Sequence, residues 1–188
     1  MLLEKLKKPI ADRVLGIDAS THSIAFCVFN GTEPVKYGEI KFHGTDVYER
    51  IIDARKKIKA LIDVFDADLV AIEAAVMVRS ANTGLKMAYI FGAIIAEIIE
   101  DGKRVVEVHP ITWQSFIGNK NFTKKEKDKV KLDFPGKSEN WYKNKIRELR
   151  KQKTIDFFSS KNINTDSDNV ADAAGVAWYV VNNMGQYR

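Results

Sequence analysis

The order of hydrophobic patterns along the chain is the feature that most constrains its fold. Three short apolar runs come first, at 13–19, 24–30 and 35–42, and a turn signal at 31–34 (GTEP) separates the second from the third. Short apolar runs bounded by Gly and Pro turns are typical of β-strands. Two short turns that join three strands predict an antiparallel meander.

The hydrophobic period then changes to that of a helix. From Val47 to Phe65 apolar residues recur at spacings of three and four, which predicts an amphipathic helix. A short buried strand is expected at 69–72, followed by a very apolar helix at 82–100 that stops at Gly102. Because this helix is apolar nearly all round, we expect it to be an inner helix or a dimer seam.

The rest of the chain reads as one more strand followed by helices. A fifth strand is expected at 104–108, a short helix from Pro110, a long helix from Ser138 to about Phe158, and a last helix from near Ser167. This order predicts an α/β fold, in which a mixed five-stranded sheet is flanked by helices. At 188 residues the chain fits a single domain spanning 1–188.

The charge of the chain is distributed unevenly. The segment from Lys120 to Lys153 carries thirteen Lys and Arg against five Asp and Glu, a net charge of +8, while the rest has a net charge of −3. Such asymmetry is an electrostatic footprint for a polyanion, although a solvated charged helix gives the same pattern. We expect a basic Lys-rich insertion at about 119–153.

Several classes of protein are disfavoured by composition. One cysteine, Cys27, allows no internal disulfide, and three scattered histidines show no zinc-ligand spacing. The longest apolar run, at 87–99, contains Glu97 and falls short of the roughly 18–20 residues that cross a bilayer. The basic lead-in at 1–12 has no apolar signal-peptide core. We therefore expect no membrane association and a cytoplasmic location, with an organelle as the alternative.

Three acidic residues occupy positions that are expected to be buried. Asp18 directly follows the apolar run at 14–17, Glu73 follows the run at 69–72, and Asp172 lies in an alanine-rich helix. Unpaired buried charges are costly, so three of them call for a shared explanation, although each alone is compatible with a cap or a salt bridge. Converging carboxylates that hold two Mg²⁺ ions about 3.5–4 Å apart are what two-metal phosphodiester hydrolysis requires.

A fourth ligand is expected on the same helix as Asp172. Asp168 lies four residues earlier and Asn169 three residues earlier, so both share its face. Asp166 is better explained as an N-terminal cap of this helix.

Residues at several points resemble the RuvC-like Holliday junction resolvases. The resemblance is carried by 16–21 (GIDAST), the strand end at 72–73, 110–113 (PITW) and 168–177 (DNVADAAGVA), in the same order along the chain. It covers roughly residues 13–182. The resemblance implies an RNase H-like fold, a homodimer, and paired symmetric nicks across a four-way DNA junction.

The resemblance also implies a metal site made by Asp18, Glu73 and Asp172. In that family an Asp or His usually stands three residues before the last Asp, whereas this chain has Asn169 there, so Asp168 is our preferred fourth ligand. We expect two Mg²⁺ ions, with Mn²⁺ as a substitute. The Pro-Gly that often follows the first Asp in bacterial members is absent, which together with the Lys-rich insertion suggests a phage, viral or organellar branch.

The basic segment supplies the expected contacts to DNA. Phosphate contacts are expected from Lys120, Lys124, Lys125, Lys127, Lys129 and Lys143, and base stacking from Phe122, Phe134, Trp141 and Tyr142. Ordinary packing is the alternative for the aromatic residues.

Other functions remain open on the sequence alone. An RNA–DNA hybrid nuclease or a nuclease of other branched DNA would use the same carboxylates, as would a transposase core, which normally has a further DNA-binding domain. A sugar kinase or actin-like ATPase shares the Gly-Ile-Asp start but needs a second phosphate loop. A non-catalytic junction-binding protein would use the acids only in salt bridges.

Overall fold

A computed structural model of the chain describes residues 13–75 and 80–186. Its five strands are β1 (Arg13–Ala19), β2 (Ser23–Asn30), β3 (Glu33–Lys41), β4 (Leu69–Glu73) and β5 (Arg104–Val108). The helices are α1 (Val47–Phe65), α2 (Ala81–Glu100), α3 (Pro110–Phe116), α4 (Lys124–Asp133), α5 (Glu139–Ser159) and α6 (Asp168–Asn182). The basic lead-in at 1–12 lies outside the described residues, and a single domain over 1–188 stays a prediction.

The strands form one mixed sheet in the order β3-β2-β1-β4-β5. Strands β1, β2 and β3 pair antiparallel, which confirms the predicted meander, while β1 pairs parallel with β4 and β4 with β5. The mixed α/β architecture expected from the sequence is therefore confirmed. The β2–β3 turn is tighter than predicted, because β3 begins at Glu33 and Gly31 turns with a φ of 57°. Pro34 thus lies inside β3, which tolerates it as an edge strand.

Each face of the sheet is covered by helices. On one face, α1 and α2 pack Ile58, Ile90 and Ile94 against Ile17 of β1. The other face carries α3, α5 and α6, and its core includes Trp113. Cys27 is fully buried, and burial raises the pKa of its thiol, so it is an inert core residue.

Helix α6 lies unusually close to the sheet and to α3. A Cβ added at Gly16 of β1 would lie 2.3 Å from the carbonyl oxygen of Ala173, and one at Gly175 would lie 2.4 Å from Cε3 of Trp113. Both distances are far inside van der Waals contact, so only glycine fits at either position. This close approach sets the height of Asp172 above β1.

Helix α2 is not the inner helix that its composition suggested. Its buried residues, Ile90, Ile94 and Ile98, form one stripe, and most of the remaining apolar side chains are open to solvent. Among the described residues it is also the one helix long and apolar enough to cross a membrane, by length and composition alone. The sequence prediction that no segment is long enough was therefore wrong on length, and the absence of membrane association stays a prediction.

The basic segment folds as helices rather than as a loop. Helix α5 begins after the N-cap Ser138, as the sequence predicted. Helix α4 was not predicted. It begins with a capping box, in which the side chains of Thr123 and Glu126 each accept a hydrogen bond from the other's backbone N–H.

Candidate metal centre and nucleic-acid interface

The parallel pairing of β1 and β4 brings two of the predicted acids side by side. Ile17 pairs with Ile72, so Asp18 and Glu73, the next residue on each strand, lie at the same edge of the sheet. Asp172 comes from α6, which packs over β1 through Gly16. Three elements far apart in sequence therefore place one carboxylate each at one point.

The three carboxylates form a compact cluster. One oxygen from each of Asp18, Glu73 and Asp172 lies within 4.8 Å of the others. Burial and, after it, repulsion from neighbouring carboxylates raise the pKa of Asp18 to about 7 and that of Asp172 to about 7. Burial and the charges of Asp18 and Asp172 raise the pKa of Glu73 to about 9. Three such groups can be ionised together at neutral pH only when positive charge lies among them.

The cluster suits a divalent cation. The buried Oε2 of Glu73 has no hydrogen-bond partner among the described residues, although a buried carboxylate oxygen normally has one. Carboxylate oxygens are hard ligands of the kind that Mg²⁺ and Mn²⁺ prefer. The unpartnered Oε2 of Glu73 and the electrostatic repulsion among the three carboxylates are both consistent with a metal ion bound between them.

The predicted fourth ligands are held by other partners. Asp168 forms an ion pair with Lys151 of α5, and its charge contributes to the raised pKa of both Asp18 and Asp172, so it lies close to the cluster. The side-chain amide of Asn169 donates from Nδ2 to Oε1 of Glu39 at 3.3 Å. Whether either residue binds a metal stays a prediction. The N-cap of α6 is Ser167, so the capping role expected of Asp166 is taken by the next residue.

Two charged residues near the cluster were not singled out from the sequence. Lys151 lowers the pKa of Asp18 and of Asp172, and Glu39 of β3 adds to the repulsion that raises the pKa of Asp18. Lys151 is one of many lysines in the basic segment, and Glu39 lies in an alternating edge strand where acids are ordinary. Nothing in the local pattern distinguishes either residue, so only the tertiary structure could have identified them.

An open cavity of about 740 Å³ connects the carboxylate cluster to the basic segment. Asp172 is the member of the cluster that lines it, and we call it the basic cavity because its seven cations outnumber its three acids, Asp128, Glu139 and Asp172. Those cations are Lys124, Lys127, Lys131, Lys143, Arg147, Arg150 and Lys151. Since α4 and α5 supply all of them, the basic segment forms a positively charged surface that leads to the acidic cluster.

A buried polar network fixes the base of the basic cavity. Asn119 donates from Nδ2 to the carbonyl oxygen of Arg150 at 2.8 Å and to Oγ1 of Thr154 at 2.9 Å. Arg150 in turn donates to Oε1 of Gln114 at 2.6 Å. These bonds tie α5 to the end of α3, and α3 in turn packs its Trp113 against Gly175 of α6, the helix that carries Asp172.

The predicted DNA-contacting lysines fall into two groups. Lys124, Lys127 and Lys143 line the basic cavity, whereas the other three, Lys120, Lys125 and Lys129, are exposed outside its lining. Among the aromatic residues, Tyr142 is buried, and its hydroxyl donates to the carbonyl oxygen of Phe134 at 2.6 Å. For Tyr142 packing is therefore the better explanation than base stacking.

Solved structures with the same architecture are known. Thermus thermophilus RuvC bound to a Holliday junction substrate is 15% identical with a TM-score of 0.63, over 89% of this chain and 90% of that one. A second T. thermophilus RuvC structure is 16% identical with a TM-score of 0.63, over 92% of this chain and 96% of that one. The yeast mitochondrial Holliday junction resolvase Ydc2 is 12% identical with a TM-score of 0.57, over 99% and 85%. At these identities the likeness establishes the fold, which is RNase H-like.

Sequence comparison assigns the family. Among curated proteins no sequence matches this chain. The profile of the family described as crossover junction endodeoxyribonuclease RuvC matches residues 14–132, which is more than half of the chain and includes both Asp18 and Glu73. The chain belongs to the RuvC family.

Proposed function

We propose that this protein is a metal-dependent endonuclease that resolves four-way DNA junctions by paired, symmetric hydrolysis of phosphodiester bonds. The observation that carries the proposal is the cluster of Asp18, Glu73 and Asp172, whose ligand oxygens lie within 4.8 Å of one another and whose Asp172 lines the basic cavity. The family match supports the same activity. The structure of a relative bound to a Holliday junction supports branched DNA as the substrate.

Each part of the site has a distinct role in this proposal. Asp18, Glu73 and Asp172 hold the metal ions, with Asp168 or Asn169 as a further ligand. Bound Mg²⁺ or Mn²⁺ ions activate the attacking water and stabilise the leaving oxygen. The lysines of the basic cavity bind phosphates on either side of the scissile bond and align it with the carboxylates.

The proposed dimer uses the exposed face of α2. Its open residues, Leu85, Ala88, Tyr89, Gly92, Ala96 and Ile99, recur at spacings of three and four and form one stripe opposite the buried isoleucines. Gly92 has no heavy atom within 4 Å of the position of an added Cβ, so a second helix could approach closely there. Two copies related by a two-fold axis would present two sites to the two symmetric strands of a junction.

Other branched DNA and RNA–DNA hybrids remain alternative substrates, because the same carboxylates would serve them. A non-catalytic junction-binding role is disfavoured by the Glu73 Oε2 atom, which makes no ion pair among the described residues. The phage, viral or organellar branch and the cytoplasmic location stay predictions.

A cleavage assay tests the proposal. The full-length protein is incubated with a synthetic four-way junction in Mg²⁺ or in EDTA, over a range of salt concentrations. We expect symmetric nicks in opposing strands in Mg²⁺ and an intact junction in EDTA. A junction that stays intact in Mg²⁺ and Mn²⁺ at every salt concentration would contradict the proposal.

A further inference from the structure

Glu39 lies in the same row of the sheet as Asp18. Asp18 pairs with Ala25 of β2, and Ala25 pairs with Glu39 of β3. Residues that pair across neighbouring strands point to the same face of a sheet. Since the residue between them is an alanine, no large side chain separates the two acids, and Glu39 contributes to the raised pKa of Asp18.

The carboxylate of Glu39 accepts hydrogen bonds from two residues at the start of α6. Its Oε1 accepts from Nδ2 of Asn169 at 3.3 Å, and its Oε2 accepts from Oγ of Ser167 at 3.4 Å. An ionised carboxylate can only accept hydrogen bonds, so the nitrogen of the Asn169 amide must face Glu39. The amide oxygen is then directed away from Glu39.

We propose that Glu39 is a positioning residue that orients the Asn169 amide so that its oxygen is available to a cation held by Asp18 and Asp172. This inference rests on the proposed metal-dependent function. Asn169 is one helical turn before Asp172, and an amide oxygen is a usable ligand for Mg²⁺ or Mn²⁺ once its orientation is fixed. Losing a partner that fixes the orientation of a metal ligand typically lowers metal affinity by about 10–100-fold.

The alternative fourth ligand, Asp168, is engaged elsewhere. Its carboxylate is paired with Lys151, which lines the basic cavity. Two different elements therefore contact the start of α6: β3 through Glu39 and α5 through Lys151. Glu39 accepts a hydrogen bond from Asn169, and Lys151 forms an ion pair with Asp168.

Mn²⁺ binding to the full chain without DNA, measured by calorimetry, tests the inference. Glu39→Asp keeps the charge but shortens the side chain by one methylene, so it removes the hydrogen bond with Asn169. We expect a dissociation constant raised by about 10–100-fold, the usual effect of losing an orienting partner. Glu33→Asp, at the exposed start of the same strand, is the matched control and should bind Mn²⁺ like the wild type.

A double-mutant cycle tests whether Glu39 acts through Asn169. In an Asn169→Ala background, Glu39→Asp should cause no further decrease in Mn²⁺ affinity. Thermal unfolding of each variant in EDTA separates a weaker metal affinity from a damaged fold.

Two outcomes would overturn the inference alone, and a third would also contradict the proposed function. Glu39→Asp binding Mn²⁺ as tightly as the wild type would overturn it, as would equal decreases in the wild-type and Asn169→Ala backgrounds. In both cases the wild-type protein still binds Mn²⁺, so the proposed metal-dependent function is not contradicted. A wild-type protein that binds no Mn²⁺ would contradict both the inference and the proposed metal dependence.

Discussion

Three partly buried carboxyl groups that lie close together meet different requirements in folding and in catalysis. Folding alone favours their protonated forms, because burial raises the pKa of Asp18, Glu73 and Asp172 and each raises that of its neighbours. Metal binding needs the ionised forms. The site therefore couples metal ions to protons, and both the stability and the metal affinity of the protein should depend on pH.

This coupling predicts how stability changes with pH. The folded protein keeps protons on Asp18 and Asp172 up to about pH 7 and on Glu73 up to about pH 9, whereas the unfolded chain releases them near the ordinary values of 3.8 and 4.5. Between these limits the folded state binds more protons, so the free energy of unfolding falls as pH rises. In EDTA we expect a lower melting temperature at pH 8.5 than at pH 6.

Divalent ions should reverse that trend. Mg²⁺ should raise the melting temperature more at pH 8.5 than at pH 6, because fewer protons then compete for the carboxylates. A variant combining Asp18→Asn with Glu73→Gln serves as the control and should respond little to Mg²⁺ at either pH. Equal Mg²⁺ stabilisation of this variant and the wild type would contradict the assignment.

A single-residue change should separate binding from cleavage. Asp18→Asn preserves the size of the side chain but removes one charge of the metal site. We expect cleavage to fall by more than about 100-fold, since even the outer partners of metal ligands contribute about 10–100-fold. Junction affinity in gel-shift assays should stay close to that of the wild type, because the basic cavity is unchanged. A variant that still cleaves at the wild-type rate would contradict this role for Asp18.

The sequence was most informative about residues whose type conflicts with their surroundings. Asp18, Glu73 and Asp172 interrupt apolar runs, and this conflict was enough to predict a shared site. Lys151 and Glu39 show no such conflict, since a lysine among lysines and an acid on an edge strand are ordinary. Their importance depends on the packing of α5 and β3 against α6, which no local pattern records.

At the scale of elements, α4 and α5 decide how the protein meets its substrate. One side of α4 carries Lys124, Lys127 and Lys131 into the basic cavity, and α5 supplies the opposite wall. Lys125 and Lys129 lie on α4 outside that lining. The lysines of α4 therefore lie on two surfaces, one that lines the basic cavity and one outside it.

This division predicts unequal effects on DNA binding. Replacing Lys124 and Lys127 by Ala should weaken junction binding and lower the slope of log affinity against log salt by about 0.9 for each phosphate that is no longer neutralised. Replacing Lys125 and Lys129 by Ala removes the same charge from the same helix and should have a smaller effect. Fluorescence anisotropy across a salt series measures both slopes, and equal effects of the two pairs would contradict the role of the basic cavity.

Elements were predicted from sequence where hydrophobic period and caps agree. The five strands, α1 and the Ser138-capped α5 follow from such patterns. Helix α4 was not predicted because nearly all of its residues are charged, so it has no apolar stripe, and its start is marked by the Thr123–Glu126 capping box alone. Helix α2 was predicted to be more buried than it is, because composition does not reveal which apolar face the chain itself covers.

At the scale of the whole molecule, the open face of α2 requires an explanation. Large apolar residues such as Leu85 and Ile99 are 51% and 61% exposed on this helix. Contiguous apolar surface of this kind usually marks an interface. A two-fold dimer would cover it and would supply the second site that paired nicks require.

A charge placed in the α2 stripe should produce monomers. Gly92→Glu adds a carboxylate where nothing lies within 4 Å, so the monomer should fold while the helix contact is disrupted. We expect a monomer by light scattering and single, unpaired nicks in junctions. Ala60→Glu, at an exposed position of α1, is the control and should remain dimeric. A Gly92→Glu variant that is still a dimer would place the interface elsewhere.

The most direct test of junction resolution by this protein compares three substrates in one assay. Wild-type protein in Mg²⁺ is given a synthetic four-way junction, an RNA–DNA hybrid and a plain DNA duplex of matched length. We expect rapid, symmetric paired cleavage of the junction and little cleavage of the other two substrates. Preferential cleavage of the hybrid, or equal cleavage of all three, would contradict the claim that this protein is a junction resolvase.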